Sequence, residues 1–348
     1  MFIKSQNAYW SFYITIFLSI LLILFSSSLI SDPVHIYGIH SWGWGANGIF
    51  SGKDGWTVEV INTDYWPYDL TTTDAQNILN EHFTLIIRIN KFFSQTIPAN
   101  PTDFDAFATA CANKVNLYKD YCNVWIIGNE MNADFEGGIY VYNYRDCYKK
   151  CRTAIKGVQP NAIVLTAAVA PWNSTRTGIG PYPSNRQWLN YMYQLVNDLN
   201  DECDGYAIHA YGGRGGDTDP RDDDEMGFGV YLKWMEIIAG NSFAKNKPVF
   251  LTEMNHAADG QGSTPGYPKY PYPAGYIQKL FEEINNWNEA NTTKIHCAAW
   301  FSYANGGFPG YNISTNTQMR DDFSYTTQNT DYRYIPATIS DKLWEVYK

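Results

Sequence analysis

The chain alternates between short apolar runs and longer segments with helical periodicity. Beyond residue 33, eight runs are rich in β-branched and other apolar residues. Runs of this length and composition predict strands that are buried on both faces of a sheet. They are residues 34–42, 56–62, 85–90, 124–130, 162–170, 206–212, 249–255 and 295–303.

Amphipathic helices are predicted between the later runs. Residues 102–118 repeat apolar side chains on one helical face, and Thr102 and Asp105 have the spacing of a capping box. Residues 222–240 carry acids in the first turn and glycine at the end, as the helix dipole and the C-cap prefer. Residues 336–348 are predicted to form a closing eighth helix.

This alternation predicts the α/β fold class. Eight strand–helix units over about 300 residues indicate a (β/α)8 TIM barrel, formed as a single domain by residues 32–348. An open doubly wound sheet is the structural alternative. It is disfavoured because no glycine-rich phosphate loop follows the first run.

The N-terminal segment has the features of a secretory signal. Lys4 precedes an apolar centre at residues 14–25, and small residues follow at 26–31. We therefore expect residues 1–31 to be a signal peptide. Counted from Ala8, the apolar stretch reaches the length of a membrane span, so an uncleaved signal anchor is the alternative. Either way, the rest of the chain would be secreted or face the secretory lumen.

Composition excludes one class of partner and suggests another. The net charge is −10 and the sequence has no lysine- or arginine-rich run, which disfavours nucleic acid. Aromatic residues are dense, with 12 Trp, 27 Tyr and 18 Phe. They are explained either by a bulky core or by sugar binding, because aromatic faces stack on the C–H faces of pyranose rings.

Cysteines and glycosylation motifs agree with an oxidising compartment. The six cysteines have no zinc-site spacing, and they are Cys111, Cys122, Cys147, Cys151, Cys203 and Cys297. Because neighbouring helices of a barrel pack side by side, we expect a disulfide from one of the first two to Cys147 or Cys151. Asn-X-Ser/Thr triplets begin at Asn173, Asn291 and Asn312.

Candidate chemistry lies at the ends of the strands, where the active sites of parallel barrels collect. Side chains alternate with a period of two along a strand. On the fourth run, Glu130 is in phase with Ile126, and on the seventh, Glu253 is in phase with Leu251. Glycoside hydrolysis needs two carboxyl groups on either side of one bond. A single glutamate at a strand end is as often a solvated rim residue, but two are harder to dismiss.

Further polar and aromatic residues lie near the predicted strand ends. A buried arginine needs a carboxylate partner, and Glu253 is the candidate partner of Arg88. A core histidine and a barrel plug are the structural alternatives for His209 and Trp300. The candidate substrate-binding residues at these ends are His40, Trp42, Arg88, Asn129, Trp172, His209, Tyr211 and Trp300.

The ordered set of strand ends resembles clan A glycoside hydrolases over nearly the whole chain after residue 33. These are retaining (β/α)8 enzymes such as cellulases, mannanases, xylosidases and β-glucosidases. The resemblance implies that Glu130 is the acid/base, Glu253 is the nucleophile and Asn129 binds the sugar 2-hydroxyl. It further implies that Tyr211 holds the nucleophile and that Trp300 forms the floor of the sugar subsite. The substrate would be an oligo- or polysaccharide with β linkages, with no metal or cofactor.

Two features depart from that group. Met131 follows the acid where many members have proline, and Arg88 lies on the third predicted strand rather than the second. A sugar-binding protein without turnover, on the same barrel, is the alternative function. A metal hydrolase using His209, Glu253 and His256 is disfavoured, because His256 is out of phase with Glu253. The oligomeric state is left open.

Overall fold

The computed structural model describes most of the chain from Pro33 onward, and this part belongs to one compact unit. The predicted N-terminal signal, Trp172, Asn173 and the predicted helix 336–348 lie outside the described residues. No helix within the described ranges is long and apolar enough to cross a membrane. Those ranges are residues 33–171, 188–212, 218–220, 227–256, 272–305 and 311–334.

Eight parallel strands form a closed barrel in chain order, with the last strand pairing with the first. All eight runs predicted from the sequence contain a strand, so the TIM barrel is confirmed. The strands are β1 (Tyr37–His40), β2 (Gly55–Asn62), β3 (Phe83–Asn90), β4 (Cys122–Ile127), β5 (Ile163–Thr166), β6 (Gly205–Gly212), β7 (Val249–His256) and β8 (Ile295–Phe301).

Seven α-helices follow strands β2 to β8 among the described residues. A short 3-10 helix, Ala46–Ile49, stands between β1 and β2. The helix after β8 covers a segment that was not predicted to be helical. The helices are α1 (Thr72–Asn80), α2 (Phe104–Tyr118), α3 (Val141–Val158), α4 (Trp188–Leu199), α5 (Val230–Gly240), α6 (Tyr276–Ala290) and α7 (Thr317–Asn329).

Two predicted helix starts are wrong. The expected capping box at Thr102 does not form, because Asn100 Oδ1 instead accepts a hydrogen bond from the Thr102 backbone N–H at 3.1 Å. A 3-10 turn then leads into α2 at Phe104. Helix α5 begins at Val230 rather than at residue 222, and residues 227–229 form a turn before it.

Large side chains fill the barrel interior. Trp56 on β2 and Phe250 on β7 meet edge to face, with ring centroids 5.4 Å apart. Because β2 and β7 are not neighbours in the barrel, these rings can meet only inside it. Gly38 on β1 leaves room for this packing, since a Cβ there would lie 3.0 Å from Cys297 Sγ and 3.3 Å from Trp56 Cβ. The barrel is therefore a packed core that is open for chemistry only at its rim.

A register irregularity in β7 corrects the predicted alternation of side chains. Leu251 is paired with Ile208 and Glu253 with His209, so β7 contains one extra residue at this point. Glu253 therefore faces opposite to Leu251, and the prediction that the two share a face is wrong. The bulge turns Glu253 toward the same side of the sheet as His209.

The predicted disulfide is absent, and all six cysteines are buried free thiols. Cys147 and Cys151 lie one turn apart on the inner face of α3. The Cys151 thiol shares hydrogen bonds with those of Cys111 and Cys147, and burial raises its pKa well above the ordinary value. Cys122 instead lies on β4, and its thiol donates to the Leu85 carbonyl at 3.2 Å. These thiols therefore serve as small apolar groups of the core.

The two predicted glycosylation motifs that lie within the described residues differ in accessibility. Asn312 is buried, and its side-chain oxygen accepts hydrogen bonds from Ser302 Oγ and from the Asn305 N–H, each at 2.7 Å. A glycan has no room at this position. Asn291 lies partly exposed at the end of α6, and it is the accessible acceptor among the described residues.

Gly128, directly after β4, gives a test of this local geometry. Its φ is +85°, and an added Cβ would lie 2.8 Å from Thr96 Oγ1. We expect Gly128→Ala to lower the free energy of unfolding by about 1–3 kcal/mol, through backbone strain and this clash. Urea denaturation measures the loss.

The matched control is Gly157→Ala on α3, where a Cβ meets nothing within 4 Å. Alanine has the higher helix propensity, so this change should be neutral or stabilising by up to about 1 kcal/mol. Equal urea midpoints for the two variants would contradict the strained turn at Gly128.

Candidate active site

Two buried glutamates meet at the C-terminal rim of the barrel. Glu130 is 4% exposed and Glu253 is 6% exposed. Glu253 lies on β7, whereas Glu130 lies just after β4 in a turn that Gly128 begins, where its own φ is +35°. One oxygen of each carboxyl group and a ring nitrogen of His209 all lie within 4.8 Å of one another.

Glu253 is held by donors from two other strands. Arg88 Nη1 on β3 donates to its Oε1 at 2.5 Å, and the Tyr211 hydroxyl on β6 donates to its Oε2 at 2.6 Å. His40 Nε2 lies 3.6 Å from Oε1. Burial alone would raise the pKa of Glu253, but the electrostatic influence of His209 and Arg88 outweighs burial and lowers it. Glu253 is therefore an ionised carboxylate at neutral pH.

Glu130 has the opposite electrostatic setting. Burial raises its pKa, and the hydrogen bond with His209 offsets this only in part. That bond joins His209 Nδ1 to Glu130 Oε1 at 2.8 Å. The same ring nitrogen lies 3.6 Å from Glu253 Oε2, so the imidazole stands between the two carboxyl groups. Neighbouring glutamates thus differ in their tendency to keep a proton.

Asn129 is fixed by three neighbours. Its Oδ1 accepts from Arg88 Nη1 at 2.7 Å, and its backbone N–H donates to Thr96 Oγ1. Its Nδ2 donates to Glu136 Oε1 at 2.9 Å. Burial also raises the pKa of Glu136. Glu136 was not among the site residues predicted from the sequence. Its position shortly after Glu130, in the loop that follows β4, could have indicated it.

An aromatic wall closes one side of the glutamate pair. The Phe301 ring lies 4.9 Å from the His40 ring, 6.2 Å from Tyr211 and 5.7 Å from Tyr311, measured between centroids. Neither Phe301 nor Tyr311 was among the predicted site residues. Because His40 and Tyr211 both approach Glu253, Phe301 is the β8 side chain that borders the site.

Trp300 lies elsewhere, so its predicted place on the sugar floor is wrong. Its side chain is completely buried and packs against Tyr272, at a centroid distance of 6.2 Å. In the barrel register, Trp300 is paired with Ile39 and Phe301 with His40. Since paired residues of parallel strands share a face, Phe301 lies on the side of His40 and Trp300 on the opposite side.

Trp42 also lies apart from Glu130 and Glu253, and it contacts two other glutamates instead. Its backbone N–H donates to Glu59 Oε1 at 2.5 Å, and its indole N–H donates to Glu81 Oε2 at 3.3 Å. Glu59 is paired with Ile87, the neighbour of Arg88, and so faces away from the barrel interior. The left-handed φ of Ser41, +59°, breaks the alternation that put Trp42 in phase with His40.

One group of side chains in the described ranges is close enough to hold a metal ion, and it is Glu130, His209 and Glu253. His256 is not part of it, because its ring packs against Tyr276 at a centroid distance of 4.6 Å. Both oxygens of Glu253 already accept hydrogen bonds from Arg88 and Tyr211. A cation would therefore compete with a guanidinium for the same carboxylate.

Comparisons with known proteins agree on the fold. No family model matches the chain, and no curated protein matches it. A glucosidase from Croceicoccus marinus has a TM-score of 0.56 at 12% identity, with 86% of this chain and 68% of that chain covered. A family 39 glycoside hydrolase from Bacteroides cellulosilyticus WH2 has a TM-score of 0.53 at 14% identity, with 83% of this chain covered. The present chain spans 60% of the length of that hydrolase.

A further match is an endo-β-1,3-glucanase of family GH128 from Amycolatopsis mediterranei, in complex with laminaripentaose. Its TM-score is 0.51 at 14% identity, with 83% of this chain and 98% of that chain covered. At such identities the likeness shows the fold. The barrel architecture that the resemblance to clan A implied is thereby confirmed.

The placement of Trp300 can be tested by stability. A completely buried tryptophan in the outer packing layer should cost about 3–5 kcal/mol of unfolding free energy when it is replaced by alanine. Trp44, which is 72% exposed, is the matched control, and Trp44→Ala should stay within about 0.5 kcal/mol of the wild type. If Trp300→Ala is as mild as Trp44→Ala in urea denaturation, the tryptophan is not a core residue.

Proposed function

We propose that the protein is a retaining glycoside hydrolase that cleaves β-linked glycans, with Glu253 as nucleophile and Glu130 as acid/base. The observation that carries the proposal is the opposite pKa shift of two buried carboxyl groups with oxygens within 4.8 Å of each other. Retaining enzymes hold their carboxyls about 5–5.5 Å apart, whereas inverting enzymes leave about 6.5–9.5 Å for a water molecule. The spacing supports the retaining class.

In the first step, the Glu253 carboxylate attacks the anomeric carbon and forms a glycosyl–enzyme ester. Arg88 and Tyr211 keep this carboxylate ionised and oriented before attack. At the same time, Glu130 transfers its proton to the departing glycosidic oxygen, so the leaving group departs as a neutral alcohol. The raised pKa of Glu130 keeps that proton available at neutral pH.

In the second step, Glu130 acts in the reverse sense. It is now a carboxylate and removes a proton from a water molecule that attacks the anomeric carbon. The ester bond to Glu253 breaks, Glu253 is released as a carboxylate and Glu130 regains its proton. Two inversions give net retention of configuration.

The surrounding residues would bind the sugar ring. The Asn129 side-chain amide has two N–H groups, and one of them donates to Glu136. The second can donate to a sugar hydroxyl. Phe301 would take the stacking role that the resemblance to clan A implied for Trp300. The aromatic wall would pack against the C–H face of the sugar.

Two further observations bear on substrate class and location. A structure with the same fold carries the name endo-β-1,3-glucanase, which supports a β-linked glycan as substrate. Secretion, or a lumenal position behind an uncleaved anchor, follows from the apolar N-terminal segment and remains part of the proposal. A sugar-binding protein without turnover is the alternative function, but binding alone does not need two adjacent carboxyls with opposite pKa shifts.

Replacement of Glu253 and replacement of Glu130 should abolish different steps of the reaction. Without Glu253 no glycosyl–enzyme forms, so Glu253→Ala should lose orders of magnitude in rate on every substrate. Glu130→Ala should still form the intermediate from an aryl β-glycoside with an acidic phenol, which needs little protonation. The intermediate then accumulates because no base activates water. Azide should intercept it and release a β-glycosyl azide, detected by NMR.

Rescue in the opposite variant discriminates between assignments. If azide restores turnover to Glu253→Ala with a β-azide product, the roles of the glutamates are exchanged. If neither the wild type nor any variant turns over an aryl β-glycoside or a natural glycan, the sugar-binding alternative gains support.

The pH profile of kcat/KM gives an independent test. Activity requires ionised Glu253 and protonated Glu130. It should therefore fall at low pH through the lowered pKa of Glu253 and at high pH through the raised pKa of Glu130.

The Tyr211 hydrogen bond lowers only the pKa of Glu253, so Tyr211→Phe should move the acidic limb to higher pH. His209 lowers the pKa of both groups, so His209→Asn should move both limbs upward. A basic limb that moves in Tyr211→Phe and not in His209→Asn contradicts the assignment.

A further inference from the structure

Four aromatic side chains in ring contact with one another, and Tyr65 beside them in sequence, lie on two neighbouring loops of the same rim as the glutamates. Three of them are strongly exposed, with Tyr65 at 86%, Tyr68 at 83% and Phe93 at 68%. A contiguous exposed apolar surface of this kind marks an interaction site. We call the cluster the aromatic platform, and it consists of Tyr65, Trp66 and Tyr68 after β2, and Phe92 and Phe93 after β3.

The two loops are tied together by backbone and side-chain contacts. The Thr63 N–H donates to the Asn90 carbonyl at 2.8 Å, and the Asp64 N–H donates to the Lys91 carbonyl at 3.0 Å. Lys91 Nζ also pairs with Asp64 Oδ2 at 3.0 Å. The pairing of β2 with β3 therefore continues beyond the strands and holds the platform in one shape.

Trp66 is the centre of the platform. Tyr68 and Phe92 contact it edge-on, with centroids 5.7 and 5.5 Å away. Phe93 lies 6.4 Å away with its ring only 10° from parallel. Two nearly parallel aromatic rings at this distance offer stacking faces for neighbouring sugar units, because pyranose C–H faces stack on aromatic faces. Edge contacts fix the orientation of Trp66 before any ligand arrives.

The platform is continuous with the catalytic centre through Thr96. The Lys91 N–H donates to the Thr96 carbonyl at 2.8 Å, which closes the turn that carries Phe92 and Phe93. Thr96 Oγ1 accepts from the Asn129 backbone N–H, and the Thr96 N–H donates to the Glu136 carbonyl at 3.2 Å. The same short turn therefore supports both the platform and the residue next to Glu130.

We propose that the aromatic platform is a glycan subsite away from the cleaved bond, which binds further sugar units of a neutral β-linked chain. The inference rests on the proposed function. The charged groups beside the platform, Asp64 and Lys91, neutralise each other, and the chain carries a net charge of −10. Both facts favour an uncharged polysaccharide over an anionic one. The enzyme would then act on chains rather than on disaccharides.

The test measures binding and turnover separately, in the full chain. Calorimetric titrations use β-1,3-gluco-, β-1,4-gluco-, β-1,4-manno- and β-1,4-xylo-oligosaccharides, from disaccharide to hexasaccharide. Phe93→Ala should weaken binding of the preferred hexasaccharide about tenfold, as expected for the loss of one stacking contact, and leave the disaccharide unchanged. The matched control is Phe243→Ala, which is 49% exposed between α5 and β7 and therefore at the other end of the barrel.

The outcomes separate this inference from the proposed function. Affinity that does not rise with chain length, an unchanged hexasaccharide affinity in Phe93→Ala, or no oligosaccharide binding at all would overturn the subsite. Equal kcat/KM on an aryl β-glycoside for the wild type and Phe93→Ala is expected. If neither an aryl β-glycoside nor any of these oligosaccharides turns over but the chain-length effect depends on Phe93, the hydrolase proposal fails and the subsite stands. Dimerisation abolished by Phe93→Ala in sedimentation would assign the platform to a second copy instead.

Discussion

The contact between Arg88 and Glu253 is the constraint on which the rest of the site depends. Strands β3 and β7 lie on different sides of the barrel, so the pair spans its mouth. Burying two charges costs several kcal/mol per ion unless the pair is well hydrogen-bonded. Here Tyr211 satisfies the second carboxylate oxygen, and Arg88 also donates to Asn129. One guanidinium thus positions both Glu253 and the loop that carries Glu130.

The difference between the two glutamates arises from their partners and not from their burial. Burial raises the pKa of both carboxyls. His209 lowers the pKa of both carboxyls, and the guanidinium of Arg88, which is paired with Glu253, lowers the pKa of Glu253 further. A fixed positive charge on one side of the pair therefore separates their protonation states. A barrel rim can place carboxyls close together, but only such asymmetric partners give them opposite roles.

Much of this arrangement could be predicted from the sequence, since strand ends in a parallel barrel converge whatever the details of packing. That argument gave the eight strands and brought Glu130, Glu253, His209 and Arg88 to one rim. Counting side chains with a period of two failed at two places where the backbone left ideal geometry. The extra residue in β7 and the left-handed Ser41 are such places. The choice between Trp300 and Phe301 needed the pairing of β8 with β1, which no single run contains.

The turn after β3 shows why some functional residues have no signal in local sequence. In sequence, its residues look like an ordinary polar-aromatic loop. Their functional importance follows from the contacts of Thr96 with Asn129 and Glu136, which are more than thirty positions away. Because Thr96 in this turn accepts a hydrogen bond from the Asn129 backbone N–H, a shift of the turn would also displace Asn129. Such a support would keep a fixed distance between the sugar units bound at the platform and the glycosidic bond held between the glutamates. That spacing requires no motion of the barrel itself.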